Sequence, residues 1–181
     1  MQTESREKGR SVCVLGACIA VCRIVYPVME ECTAISDFYE EMSENLLSFF
    51  LSEAEARKEE FSHLSRNARK LFPPLRLSHC FAVTFCGDGI ISITREYAVS
   101  EGKSLLLYRK FGEVWDTELQ ILVSPQKLFR GKHLRLAKKN EFYLCEDYAV
   151  IAENLFPEIA QSHGRRLRLS DHVRETRVEK G

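Results

Sequence analysis

The sequence predicts an α+β domain, an antiparallel β-sheet built as a meander of hairpins with one long helix packed across one face. Two patterns carry this, and they are segregated along the chain rather than interleaved, which favours α+β over α/β. Residues 35–71 place apolar side chains at helical spacing, and residues 75–123 alternate β-favouring runs with glycine-centred turns. With 181 residues, 45% of them apolar, the chain has the size of a single domain and enough apolar material for a core. The expected boundaries are a disordered N-terminus over residues 1–10, one domain over 11–173 and a loose charged tail over 174–181.

Residues 11–27 are rich in Val, Ile and Cys and read as a strand pair turning near Gly16, with Pro27 at a strand end. In the helix, Ile35, Phe38, Tyr39, Met42, Leu46, Phe49 and Phe50 share one face while Glu40, Glu41 and Glu44 take the other. Thr33 or Ser36 can cap its start. The pattern continues to Leu71 as one helix, or as two with a break near Ser52, until Pro73-Pro74 stops it. The bland reading, a helix covering a sheet, outweighs a membrane-surface helix because its polar face is acidic. Strands follow at 75–86 and 90–99 around Gly87-Asp88-Gly89, where Asp88 reads as a turn former and not as a metal or catalytic carboxylate. Next come apolar runs at 105–110 and 114–123, separated by an expected turn at Phe111-Gly112-Glu113, and a capped turn from Ser124-Pro125. A hairpin over 142–152, turning at Glu146-Asp147, and an edge strand over 165–169 complete the reading.

Composition excludes long-range attraction of a polyanion, because Lys+Arg and Asp+Glu both total 26. Seven cysteines, an odd number lying mainly in strand-like runs, read as reduced, buried thiols in a cytoplasmic protein. The apolar segment at 12–22 imitates a signal peptide after Arg6, Lys8 and Arg10, with Leu15-Gly16-Ala17-Cys18 resembling a lipoprotein cleavage box. Only a few apolar residues precede that box, whereas an h-region needs about 7 to 15. Arg23 also ends the run short of the roughly 20 residues of a membrane span.

No Walker loop, GxGxxG, HExxH or GxSxG occurs, no CxxC suggests zinc, and the five histidines fall in separate elements. His79 and Cys80 are adjacent on a strand and point to opposite faces, so adjacency makes no catalytic pair of them. The expectation is therefore no enzyme, no cofactor and no metal. A basic segment, Lys132, Arg135, Lys138 and Lys139, together with Arg165 and Arg166, is the candidate surface for a nucleic-acid-binding alternative. It lacks interleaved aromatics, and a solvated amphipathic element is the plainer reading.

The order of elements resembles a known family, the sheet-and-helix module of RsiV-like, lysozyme-sensing anti-sigma factors and of PdaC-type polysaccharide deacetylases. Small clostridial proteins of uncharacterised function share it. The residues that carry the resemblance are Arg23-Ile24-Val25-Tyr26-Pro27, Ile35-Ser36-Asp37-Phe38-Tyr39, Val114-Trp115-Asp116-Thr117-Glu118-Leu119, Leu128-Phe129, Glu141-Phe142-Tyr143-Leu144 and Glu146-Asp147-Tyr148-Ala149-Val150. The family's Gly-Gly-Ala-His turn before the tryptophan strand is here Ser100-Glu101-Gly102-Lys103, without a histidine. The resemblance implies a non-catalytic domain that binds a protein partner. The alternative is an exported domain binding the cell envelope, peptidoglycan or lysozyme, and it requires segment 12–22 to act as a signal.

Overall fold

The computed structural model describes residues 2–138, 141–146, 148–152 and 165–168. The elements run β1 (Glu4–Val14), β2 (Ala17–Val28), α1 (Thr33–His63), α2 (Arg66–Leu71), β3 (Leu75–Gly87), β4 (Ile90–Glu101), β5 (Ser104–Asp116) and β6 (Ile121–Leu122). They continue with α3 (Pro125–Leu128), α4 (Gly131–Ala137), β7 (Glu141–Leu144), β8 (Tyr148–Ala152) and β9 (Arg165–Arg168). The fold is α+β as expected, with the long helix on one face of a six-stranded sheet, β1-β2-β3-β4-β5-β6, and a second sheet, β7-β8-β9.

The large sheet is mixed, which corrects the expectation of a purely antiparallel one. Strands β2 and β3 pair in parallel, from Ala20 opposite Leu75 to Ile24 opposite His79, while every other pairing is antiparallel. The cause is the helix between them, since a crossover of a dozen or more residues returns the chain to start a neighbouring strand in the same direction. The break in the helix also falls later than Ser52. Helix α1 ends at His63, and Ser65 starts α2 by accepting a hydrogen bond from the Ala68 amide. At the start of α1, neither Thr33 nor Ser36 caps. Ser36 Oγ instead ties down the backbone of Met29, and Gln120 Oε1 accepts from the Ala34 N–H at 2.9 Å.

The expected disorder over residues 1–10 is overturned from Glu4 onward, because β1 pairs with the whole of β2. Its charges suit a sheet edge, where they discourage further strand pairing. Arg23 binds Glu7 at 3.0 Å, and Lys8 pairs with Glu44 of α1. The turn expected at Phe111-Gly112-Glu113 is likewise absent, since β5 runs straight through it and reverses only at residues 117–120. Gly112 marks a close approach instead. A Cβ there would sit 2.2 Å from the carbonyl oxygen of Phe142, so β7 can cross β5 only over a glycine.

Alternation along β4 and β5 divides the core. Ile91, Ile93 and Trp115 pack under α1 with Tyr26, Ile35 and Tyr39. On the other face, Ile90 and Val114 meet Phe142, Leu144 and Ile151 of the small sheet, with Leu134 and Leu136 of α4. Buried Ser92 fastens the two sheets, its Oγ accepting from the Leu144 N–H at 2.8 Å. The tail at 174–181, Asp147 and Lys139 lie outside the described residues.

Candidate functional site

Helix α1 lies closest to β2 and the β1 edge, while its first turns pack over Ile91, Ile93 and Trp115 of β4 and β5. This offset leaves part of β4 and β5 uncovered on the helix face, and the gap is a groove of about 360 Å³. Met42, Leu46 and Phe49 of α1 form one wall. The floor consists of the cross-strand row His79–Tyr97–Arg109 and the cross-strand pair Arg95–Phe111, with Leu107 one step away. Ligand sites combine an apolar lining with a few placed polar groups, and a volume of this order suits a small molecule or one large side chain.

Two polar features stand in this apolar setting. The first is a network at the inner end, in which Arg95 grips Glu113 through Nε at 3.0 Å and through Nη2, both side chains being nearly buried. Tyr39 donates its hydroxyl to Glu113 Oε2 at 2.5 Å and accepts from Trp115 Nε1 at 2.9 Å. Burial, followed by the Glu113 charge, pushes the Tyr39 phenol far above its ordinary range, so it remains a donor. The guanidinium of Arg95 also lies over the Phe111 ring, 4.8 Å from its centroid.

The second is His79, only 2% exposed. Its Nδ1 lies 2.9 Å from the carbonyl of Val25. A carbonyl can only accept, so Nδ1 carries the proton and the neutral ring presents Nε2 as an acceptor. Among the described residues Nε2 has no hydrogen-bond partner. Desolvation first, with the Arg95 charge adding to it, lowers the pKa to about 4 despite the opposing Val25 bond.

That shift predicts a pH dependence. The unfolded chain takes up a proton near pH 6.5 and the folded chain only near 4, so His79 supports the fold fully above pH 6.5 and loses that support as pH falls toward 4. Urea denaturation from pH 7 to pH 4 is expected to cost the native protein about 3 kcal/mol more than His79→Gln. Equal slopes would mean that the ring takes up its proton in the folded state.

The basic candidates lie elsewhere. Lys132, Arg135 and Lys138 are exposed along α4, and Arg165 and Arg166 stand on β9 opposite Ile151 and Val150. The groove was missed in the sequence, although the alternate positions 95 and 97, and 109 and 111, carried a signal: charged and aromatic residues on a face that the helix should cover. Among the described residues, no group of His, Cys, Asp or Glu is placed to hold a metal ion, and no helix is long and apolar enough to cross a membrane.

The chain matches no family model and no curated protein. Its fold is similar to that of a DUF3298 family protein from Pseudomonas aeruginosa, with a TM-score of 0.59 at 11% identity over 93% of this chain and 89% of that one. It is also similar to a DUF3298 family member from Bacteroides fragilis, with a TM-score of 0.57 at 11% identity over 92% and 89% of the two chains. The chain therefore has the fold of these domains of unknown function.

Proposed function

We propose that this chain is a non-catalytic, cytoplasmic interaction module that takes apolar side chains of a protein partner in the groove between α1 and the sheet. The groove itself carries the reading: it is open, mostly apolar, and bordered by Phe49, which leaves about half of its side chain in water. The resemblance to RsiV-like domains, which sense a protein, favours binding over chemistry. Among the described residues no disulfide joins the cysteines, in keeping with a reducing compartment, although Cys13, Cys18, Cys80 and Cys86 are exposed rather than buried as expected. Segment 12–22 spans the β1–β2 hairpin and contributes Ala20 and Cys22 to the core. Signal cleavage before Cys18 would strip β1 from the sheet, and intact-mass measurement of the natively expressed protein tests for it.

The test of the module is affinity capture from a native lysate, with and without nuclease, comparing the wild type with Phe49→Glu. Phe49 is about half exposed, and circular dichroism checks that the variant keeps its fold. A discrete protein that survives nuclease and is lost with Phe49→Glu supports the proposal. A protein held equally by both moves the contact off the groove. Nucleic acid alone, released by moderate salt, would replace the reading with one centred on Lys132, Arg135 and Lys138.

A further inference from the structure

The groove makes three demands that few groups meet together. Its buried acceptor, His79 Nε2, has no partner among the described residues, and a polar atom this deeply buried favours an occupant that brings a donor to it. The space around it is walled by Phe49, Tyr97 and Phe111, with Met42 and the Arg95 guanidinium close by, a lining that favours a flat ring over an alkyl chain. No carboxylate lines the groove, and the exposed Arg109 at its border has no acidic partner among the described residues.

A phenylalanine would fill the space and leave Nε2 unsatisfied. A serine or threonine would supply the donor and leave the aromatic walls empty. A lysine or arginine would face two guanidinium groups. A tyrosine next to an acidic residue satisfies all three demands.

We propose that the groove receives a tyrosine of the protein partner, with its hydroxyl donating to His79 Nε2, its ring between Phe49 and Phe111, and an acidic neighbour in the partner meeting Arg109. This rests on the interaction-module reading, and its test can fail separately from the capture experiment.

The full-length chain is titrated with 3-(4-hydroxyphenyl)propionate, with 3-phenylpropionate, which lacks the donor, and with tyramine, which replaces the acid by an amine. Binding is followed by NMR shifts of the His79 ring and of the groove backbone. The hydroxyphenyl acid is expected to bind about tenfold more tightly than the phenyl acid and more tightly than tyramine. Arg109→Gln, at an exposed position, should erase the preference for acid over amine. His79→Phe should erase the preference for the hydroxyl, and if that variant does not fold, the wild-type comparison decides alone. Equal affinity for the two acids, or shifts confined to residues outside the groove, overturns the assignment. If a partner is captured through Phe49 and the hydroxyl still gives no advantage, the tyrosine assignment falls and the module reading stands. If the compounds bind as expected and no protein is captured, the module reading falls, the occupant is a free hydroxyphenyl acid, and the assignment to a partner's tyrosine falls with it.

Discussion

Gly112→Ala is expected to unseat the small sheet from the large one. The added Cβ would lie 2.2 Å from the Phe142 carbonyl oxygen, 2.6 Å from its carbon and 3.2 Å from Tyr143 Cβ. Two of these are backbone atoms of a paired strand, which cannot swing aside as a side-chain tip would. Overpacking of this kind costs about 3 kcal/mol. Gly9→Ala is the control, because its nearest neighbour, Cys22 O, lies at an ordinary 3.5 Å. Urea denaturation should separate the two variants clearly. Hydrogen exchange should show β7 and β8 losing protection while α1 and β2 keep theirs. An unchanged midpoint for Gly112→Ala would mean that β7 does not cross β5 there.

Arg95→Leu is expected to cost a similar amount for a different reason. Arg95 and Glu113 are only 12% and 11% exposed, so removing the cation leaves a carboxylate with little water to solvate it. Breaking one side of such a pair costs about 3 to 5 kcal/mol, whereas replacing both partners by apolar groups is often near neutral. The double variant Arg95→Leu/Glu113→Leu should therefore recover more than half of the loss. Trp115 fluorescence reports on this denaturation, because the indole donates to Tyr39, which donates to Glu113. A double variant no more stable than Arg95→Leu would show that the pair is held by more than its mutual charge.

Much of the fold was legible because it is local. The 3.6-residue apolar period of α1, the Gly87-Asp88-Gly89 turn and the hairpin of β7 with β8 each declare themselves within a short window. What misled has causes far away in the chain. Gly112 carries the usual mark of a turn, yet its reason is Phe142, and no local rule connects the two. Residues 4–10 look frayed by composition, and their order comes from β2. The parallel pairing of β2 with β3 depends on where α1 sets the chain down, which its periodicity does not encode. The site was less legible still. His79 looked idle beside Cys80, and its importance comes from Val25, Arg95 and α1, on three other elements.

The parallel seam has a consequence for the order of assembly. Each antiparallel pairing in the large sheet joins neighbours in sequence, but Ala20–Ile24 must find Leu75–His79 across the whole helical segment. The seam has five paired positions, where β3 with β4 and β4 with β5 have twelve each. Closing a long loop costs entropy before its contacts repay it, so this joint is expected to form after the hairpins β3–β4 and β4–β5. The bond from His79 to Val25 spans that same joint. The groove beside His79 is thus completed only once this long-range joint has closed, and an occupant that held His79 in place would act as a latch on it.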